Sequence, residues 1–407
     1  MHKKEWAIFI YAAGRNELEP EIWRRIEELK KYIMLNNIDD KIKMFLEIGR
    51  ADKKLVNIIR SEERFTRSDS DWTGIRRYVL EKNKLKLMDI LTEVNMANAN
   101  SLYKFLDIGF KKFSAEKNIL ILSGHAYQFV GLMTDYCQDK PYIMGLPELV
   151  NSINKACEKN MSSLDLLFLD SCYCNFIEII YEFSAYKKKG VDNIISYNNI
   201  SPLEGISLSE IVDILRESKN INVNLLIKKI FKKMDYDLRA FKINKNILEK
   251  VKNNFNELAE LFEDKRDKEN DNIKEFLKKI KREDEHYYLM ENMYNLLNKI
   301  ILSNNDDNYI NVAYELPEDY EKIKLYNRLK FAQENKWFEI ASYNFKNKLR
   351  INGNKINYNL EALPLSKEAL KENIKAMNSN KNEEEVKNIL NKLINYREWK
   401  FDNYSIT

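Results

Sequence analysis

The sequence predicts an α/β protein in which a mainly parallel sheet is covered by helices on both faces. Short apolar runs in the first half of the chain have the length of buried strands, and they occupy residues 6–13, 42–48, 118–122, 164–169 and 191–196. Patterns with helical spacing lie between these runs at residues 20–33, 146–159 and 175–183. Strands that alternate with helices in this way are typical of a parallel sheet with crossover connections.

Several segments interrupt or extend this alternation. Residues 72–80 have the pattern of one strand of an antiparallel hairpin, and residues 309–316 resemble a strand that would join the first sheet at its edge. The charged run at 263–275 is interpreted as a solvated connection between helices rather than a binding tail. Further helices are expected at residues 247–262, 273–280, 287–301 and 384–396.

We therefore expect three units along the chain of 407 residues, which is long enough for more than one packed core. The first is an α/β domain at residues 1–215. The second is a mainly helical extension at 216–350, which contains the strand-like segment, and the third is a helical or irregular tail at 351–407.

Composition narrows the classes of function. Lys and Arg number 67 against 63 Asp and Glu, and the net charge of +4 gives no support for binding to nucleic acid or to an anionic membrane. Lys3 and Lys4 before the first apolar run superficially resemble a signal peptide, but Arg15 and Glu17 follow without a cleavage motif. We expect a cytoplasmic protein without a membrane or nucleic-acid partner, and the sequence gives no indication of its oligomeric state.

The cysteines indicate neither disulfides nor zinc. Cys137, Cys157, Cys172 and Cys174 are too few in a chain of this length for a disulfide framework. The spacing of the last two is shorter than that of a zinc knuckle, and the chain has only 3 histidines. No cofactor is expected, and no motif indicates a structural or activating calcium ion.

Reactive side chains follow two of the predicted strands. His125 lies just beyond the third strand, and Cys172 lies just beyond the fourth. Ligands bind beyond the carboxyl ends of parallel strands, so these residues lie side by side if the two strands are neighbours. A nearby imidazole and a helix N-terminus both favour the thiolate that a nucleophilic cysteine requires. Backbone N–H groups at both turns, including those of Gly124 and Ala126, have the chemistry to stabilise an oxyanion.

The same two residues also fit a structural interpretation. A cysteine at the end of a buried strand is more often a small core residue, and a single histidine is more often a hydrogen-bonded structural residue. Their spacing alone leaves both interpretations open.

Five segments, in order along the chain, resemble the clostripain-like cysteine peptidases of the caspase-like clan. They are AGRNEL at 13–18, WTGIRRY at 72–78, SGHA at 123–126, DSCYC at 170–174 with Glu178 after it, and NVAYELP at 311–317 with the later FA…W pattern that ends at Trp337. The resemblance covers roughly residues 5–345. It implies a caspase-like fold and a cysteine endopeptidase that acts on a peptide or protein substrate.

The resemblance also implies roles for single residues. Cys172 would attack the scissile carbonyl, and His125 would manage the proton that the leaving amine receives. Asp170 would lie near the floor of the pocket for the P1 side chain and favour Arg or Lys there, although a carboxylate at this position also fits the cap of the following helix. Lys140 is the nearest candidate for self-cleavage, but Pro141 follows it and would resist cleavage.

Departures from the family pattern bear on activity. Gly124 stands where relatives have Asp, and Ala126 stands where they have Gly, so the loop around the histidine has been rebuilt. After the fifth strand, residues 196–202 lack the acidic residues of relatives, which leaves Asp170 and Glu204 as negative charges beside the substrate. Ser171 completes the set of expected substrate-binding residues.

Two functions follow from these observations. The first is an endopeptidase that cleaves after Arg or Lys. The alternative is a catalytically weak or inactive peptidase-fold protein that binds a peptide or partner, for example in peptide maturation. A nucleotide-binding protein is a third possibility, which we discount because no Gly-rich phosphate loop follows a strand.

Overall fold

A mixed sheet of eight strands forms the centre of the computed structural model, which describes residues 5–38, 41–60, 72–185, 190–218, 221–265, 286–302, 310–313, 320–342 and 361–401. The strands of both sheets in the protein are β1 Trp6–Gly14, β2 Ile42–Arg50, β3 Gly74–Glu81, β4 Lys84–Leu91, β5 Lys117–Ser123, β6 Gly131–Asp135, β7 Tyr142–Gly145, β8 Leu166–Asp170, β9 Asn193–Tyr197, β10 Leu238–Lys242 and β11 Leu363–Pro364. The large sheet has the order β10-β9-β8-β5-β1-β2-β3-β4. Its five inner strands, β9 to β2, are parallel, while β10, β3 and β4 are antiparallel to their neighbours.

The predicted strands and the hairpin are confirmed. All five apolar runs form the parallel part of the sheet, and residues 72–80 contribute β3 of the hairpin. Every residue of β1 is buried, because the strand lies between β5 and β2 and is covered by helices on both faces. Alternate side chains of β1 therefore enter opposite cores, with Phe9 in one and Ile10 in the other.

Helices cover the two faces of the sheet. They are α1 Glu19–Leu35, α2 Lys53–Arg60, α3 Ala99–Phe113, α4 Leu146–Lys159, α5 Ile177–Ser184, α6 Leu208–Glu217, α7 Val223–Lys233, α8 Lys245–Lys265, α9 Tyr287–Leu297, α10 Tyr320–Asn327, α11 Lys330–Gln333, α12 Trp337–Ala341, α13 Lys367–Met377 and α14 Glu383–Arg397. Apolar residues of α1, α6 and α7 form one core with the sheet. Those of α3, α4, α5 and α8 form the core on the opposite face.

A third core joins the C-terminal helices to the main body. The small sheet has the order β11-β7-β6, and α13 and α14 pack against it and against α2. The helix predicted near residues 384–396 is confirmed as α14, which begins with a capping box between Asn382 and Glu385. The preceding helix α13 was not predicted, because its buried apolar positions are few and only three of its residues, Ala369, Leu370 and Ile374, are buried.

Other segments differ from the prediction or lie outside the described residues. The helix expected at 175–183 begins later, at Ile177, with Phe176 as its N-cap. Of the strand expected at 309–316, only residues 310–313 are described, and there Asn311 forms a single parallel bridge with Phe176. The helical pattern at 273–280 lies outside the described residues. Among the residues with described structure, no helix has the length and apolar character that a membrane span requires.

Candidate active site

Four polar side chains follow the carboxyl ends of four adjacent parallel strands, β1, β5, β8 and β9. In the order of those strands, they are Glu17, His125, Cys172 and Ser201. Ser123 at the end of β5 is in register with Asp170 at the end of β8. His125 and Cys172 each follow two residues later, so the chain brings them to the same edge of the sheet from neighbouring strands. The expectation that these two strands are neighbours is confirmed.

Glu17 holds His125 from the side of β1. The His125 Nε2 atom lies 2.9 Å from Glu17 Oε1, and the side chain of Glu17 has no exposed surface. Burial alone would raise the pKa of the Glu17 carboxyl. Attraction to His125 and the hydrogen bond with it outweigh burial, so the pKa of Glu17 is lowered.

Hydrogen bonds from Asn16 and Arg60 hold the turn that carries Glu17. The Asn16 side chain accepts a hydrogen bond from the Leu18 N–H (2.9 Å) and donates to the Ala13 carbonyl (2.9 Å), which closes the turn after β1. Arg60 Nε of α2 donates to the carbonyl of Glu17 (2.8 Å), and the Arg60 guanidinium binds both carboxylate oxygens of Glu21. These contacts fix the backbone on both sides of Glu17.

Ser201 contacts Cys172 from the side of β9. The Cys172 Sγ atom lies 3.1 Å from the Ser201 Oγ atom and accepts a hydrogen bond from the Ser201 N–H at 3.3 Å. The backbone N–H is a donor to the sulfur, whereas either partner can be the donor in the contact between the hydroxyl and the sulfur. Cys172 is partly exposed, whereas Cys174 is fully buried, and burial raises the pKa of the Cys174 thiol far above its usual range.

The helix N-terminus expected to support the thiolate lies further away along the chain. Helix α5 begins at Ile177, five residues after Cys172, and a turn with Tyr173 at φ +53° separates them. The turn allows the Tyr173 N–H to donate to the Asn199 carbonyl at 2.6 Å. The loop after β9, rather than the first turn of α5, therefore provides the backbone N–H and the hydroxyl that contact the sulfur.

Asp170 is bound on both carboxylate oxygens by the fold itself. Its Oδ2 accepts from Arg25 Nη1 at 2.5 Å and from Ser123 Oγ at 2.6 Å. Its Oδ1 accepts from the Tyr197 hydroxyl at 3.1 Å and from the Ile206 N–H at 2.9 Å. Asp170 is not the N-cap of α5, because Phe176 takes that position. A fully paired carboxylate without exposed surface argues against direct binding of a basic P1 side chain.

The loop that follows β9 closes over this ion pair. Gly205 has φ +63°, and an added Cβ there would lie 2.5 Å from Arg25 Nη1 and 2.9 Å from Asp170 Oδ1. Glu204, the other predicted acidic residue, is exposed and lies 3.6 Å from Arg24 Nη2. Both carboxylates expected to attract a basic substrate therefore have consecutive arginines of α1 as partners.

The other predicted substrate-binding residues lie close to the cysteine and the histidine. Ser171 is buried, and its hydroxyl has no hydrogen-bond partner within the described parts of the chain. The Gly124 N–H donates to the Asp170 carbonyl at 3.4 Å, so it is already used within the sheet. Ala126 pairs with Leu132 of β6 without direct hydrogen bonds between the two, so its N–H points away from β6.

The rebuilt loop around His125 is closely packed. An added Cβ at Gly124 would lie 3.2 Å from the Ala13 Cβ and 3.3 Å from the Met133 Cε, so the Asp of relatives has little room here. The Tyr127 N–H donates to the Gly131 carbonyl (2.9 Å), and the Met133 N–H donates to the His125 carbonyl (2.8 Å). These bonds attach the histidine backbone to β6.

Sequence reasoning missed the partners of the predicted residues. Glu17 and Ser201 lie in the segments at 13–18 and 196–202 that were compared with relatives, and both follow strands of the parallel sheet. Their positions were the available signal, because polar residues after neighbouring parallel strands converge at one edge. Arg25 carried no such signal, since a helical arginine is usually solvated.

Solved structures of cysteine proteases share this fold. The first is a secreted C11 cysteine protease from Bacteroides thetaiotaomicron in complex with an irreversible peptide inhibitor, with a TM-score of 0.56 and 12% sequence identity, covering 84% of this chain and 99% of that one. The second is an inactive zymogen C11 protease from Parabacteroides distasonis, with a TM-score of 0.54 and 12% identity, covering 82% of this chain and 99% of that one.

Comparison of sequences gives the family. No curated protein sequence matches this chain significantly. The model of the clostripain family of peptidases, C11, matches residues 11–375, which is most of the chain and includes Glu17, His125, Cys172 and Ser201. The chain therefore belongs to the clostripain family.

Proposed function

We propose that this protein is a cysteine endopeptidase in which Cys172 is the nucleophile and His125 is the acid–base residue. The observation that carries the proposal is the register of β5 and β8, which brings the two residues to one edge of the sheet. The contact of Ser201 with the sulfur supports the same role, because donors to Sγ favour the thiolate.

The reaction would proceed in two steps. The Cys172 thiolate attacks the scissile carbonyl, and His125 gives a proton to the leaving amine, so that an acyl-enzyme forms and the amine departs neutral. Water then attacks the thioester, with His125 accepting a proton, and the thiolate is regenerated. The Ala126 N–H, which is not used by β6, is a candidate donor to the oxyanion.

We also propose a P1 preference that differs from the one the family resemblance implies. The family resemblance predicts Arg or Lys, but Asp170 is paired with Arg25 inside the protein, and Glu204 has Arg24 as its neighbour. A basic P1 side chain would compete with these arginines. We therefore expect cleavage after uncharged residues to be at least as fast as cleavage after Arg or Lys.

The nucleophile is tested by covalent labelling. Wild-type protein and the Cys172→Ala and His125→Ala variants are treated with acyloxymethyl ketone probes that carry Lys or Leu at P1, and the adduct is measured by intact mass. We expect one adduct on wild type, none on Cys172→Ala and at least about 100-fold slower labelling of His125→Ala. Equal labelling of Cys172→Ala and wild type would show that the nucleophile is a different residue.

Cys137→Ala is the matched control for the labelling experiment. Cys137 is also partly exposed, but burial and the nearby Asp135 carboxylate raise its pKa to about 11, so its thiol is mostly protonated at neutral pH. We expect this variant to be labelled like wild type. If folded wild-type protein hydrolyses no member of a P1 peptide library and takes no probe, the non-catalytic peptide-binding alternative becomes the better description.

A further inference from the structure

We infer that Glu17 is a positioning residue that holds the imidazole of His125 with one ring nitrogen directed away from the nucleophile. The inference rests on the proposed function, because it assigns a third participant to the same site. It is carried by a 2.9 Å contact between Glu17 Oε1 and His125 Nε2 and by the complete burial of the Glu17 side chain.

The contact determines which nitrogen is available for chemistry. A carboxylate only accepts hydrogen bonds, so Nε2 bears the proton in the pair with Glu17. Nδ1 is then the nitrogen that can exchange a proton with the thiol or with the leaving amine. A fixed carboxylate also stabilises the imidazolium that forms when His125 has accepted a proton.

The partner of Glu17 sets it apart from other buried carboxylates in the described structure. Glu47 lies 2.6 Å from Arg77 Nε, and both oxygens of Glu21 bind Arg60, so these carboxylates face cations whose charge is permanent. Glu17 is instead paired with an imidazole, which carries a charge only when it is protonated. A charge placed beside a titratable ring acts on proton transfer, whereas a charge placed beside arginine acts only on the fold.

The surroundings of Glu17 keep it ionised. Arg60 donates to its backbone carbonyl and also contributes an attractive charge. Tyr127 and Tyr136 interact electrostatically with the carboxylate. Burial, followed by the charge of Glu17, raises the pKa of both phenols well above its usual value, so they stay neutral in the working range. Among the described residues, His125 is the side chain that is hydrogen-bonded to the Glu17 carboxylate.

The test uses the small number of histidines in the chain. His2, His125 and His286 are the only three, so histidine-selective isotope labelling gives a resolvable NMR titration, assigned with His125→Ala. We expect the titration midpoint of His125 to fall by about one pH unit in Glu17→Gln, because the carboxylate that favours the protonated ring is gone. The nitrogen shifts should also show the Nε2–H tautomer in wild type and a mixture in the variant.

Kinetics give the second readout. We expect Glu17→Gln to lower kcat about 10- to 100-fold with little change in KM, and to move the alkaline limb of the pH–rate profile to lower pH. Glu17→Asp keeps the charge and should restore the position of that limb in part. Glu19→Gln is the matched control, since Glu19 is a buried carboxylate two residues away that pairs with Arg50 at 2.6 Å.

The outcomes separate this inference from the proposed function. An unchanged His125 titration and pH profile in Glu17→Gln, with an active wild type, overturns the positioning role alone. Equal losses in Glu17→Gln and Glu19→Gln also overturn it, because they show a structural effect. Absence of hydrolysis and labelling in folded wild type overturns the proposed function, and the NMR titration still shows whether Glu17 controls the ring.

Discussion

Asp170 and Glu17 are both buried carboxylates at the same edge of the sheet, yet the fold uses them differently. Asp170 meets Arg25 and three neutral donors, so both of its oxygens are committed to the structure. Glu17 meets the imidazole of His125. A permanent cation makes the first pair a fixed part of the fold, whereas a titratable partner gives the second pair a means to affect proton transfer. Position near a reactive residue therefore does not define a role, and the partner does.

The largest expected effect is a loss of protein stability when Asp170 is replaced, and it distinguishes Asp170 from Glu17. Asp170→Asn leaves the Arg25 guanidinium buried without a counter-charge, and we expect a loss of about 3–5 kcal/mol in the free energy of unfolding. Denaturant unfolding followed by circular dichroism measures this loss. Glu17→Gln should lose less, because its partner His125 does not carry a permanent charge.

Glu204→Gln is the control for the Asp170 prediction. Its carboxylate is exposed and 3.6 Å from Arg24, so its removal should change stability by at most about 1 kcal/mol. If Asp170→Asn is as stable as wild type but loses discrimination between basic and uncharged P1 residues, then Asp170 selects substrate and the comparison with Glu17 fails.

The sequence predicted the elements whose signal is local. The five strands were evident because each is a short, mainly apolar run, and the positions of His125 and Cys172 followed from two of these runs. The pairings of Asp170 with Arg25 and of Cys172 with Ser201 join residues 145 and 29 positions apart. No local pattern encodes such contacts, since they depend on how α1 and the loop after β9 pack on the sheet.

The start of helix α5 also depends on long-range contacts that the local sequence does not show. The apolar residues at 175–183 predicted a helix that starts close to Cys172, and this placed a helix dipole at the thiol. The observed turn at 171–176 instead directs the chain toward the loop after β9 and delays the helix to Ile177. The Tyr173 N–H bond to Asn199 and the Asn311 bridge to Phe176, both long-range contacts, accompany that delay.

A third case for comparison is a buried carboxylate that has no charged partner within the described parts of the chain. Glu178 of α5 accepts hydrogen bonds from the Ala313 N–H and the Tyr326 hydroxyl, both at 2.8 Å. Burial raises its pKa from 4.5 to about 7, so the folded protein binds a proton that the unfolded chain releases. The stability from this group is complete below about pH 4.5 and is lost as the pH rises toward 7.

The raised pKa of Glu178 predicts that the stability of the protein falls as the pH rises. We expect Glu178→Gln to remove a decrease of about 1–2 kcal/mol in unfolding free energy between pH 5 and pH 8, because an amide keeps the neutral form at all pH values. Unfolding curves at intervals of one pH unit for wild type and variant measure the difference. Parallel pH dependence of the two proteins would show that Glu178 is already ionised, and that burial without a cation does not set its protonation.

The smallest expected effect concerns Cys172, whose sulfur is contacted by the hydroxyl and the backbone N–H of Ser201. Ser201→Ala removes the hydroxyl, which can donate to a thiolate, and one hydrogen bond contributes about 0.5–1.5 kcal/mol. We expect the iodoacetamide alkylation rate of Cys172 at pH 7 to fall about threefold, with the loss disappearing at high pH where the thiolate is fully formed.

Ser171→Ala is the matched control for this measurement, because its hydroxyl is adjacent in sequence but has no hydrogen-bond partner in the described structure. It should leave the alkylation rate unchanged. If both variants alkylate like wild type at every pH, the backbone N–H alone stabilises the thiolate. A side chain would then assist only the histidine, through Glu17, whereas the cysteine would depend on the backbone alone. His125 and Cys172 would thus differ in the kind of group that supports them.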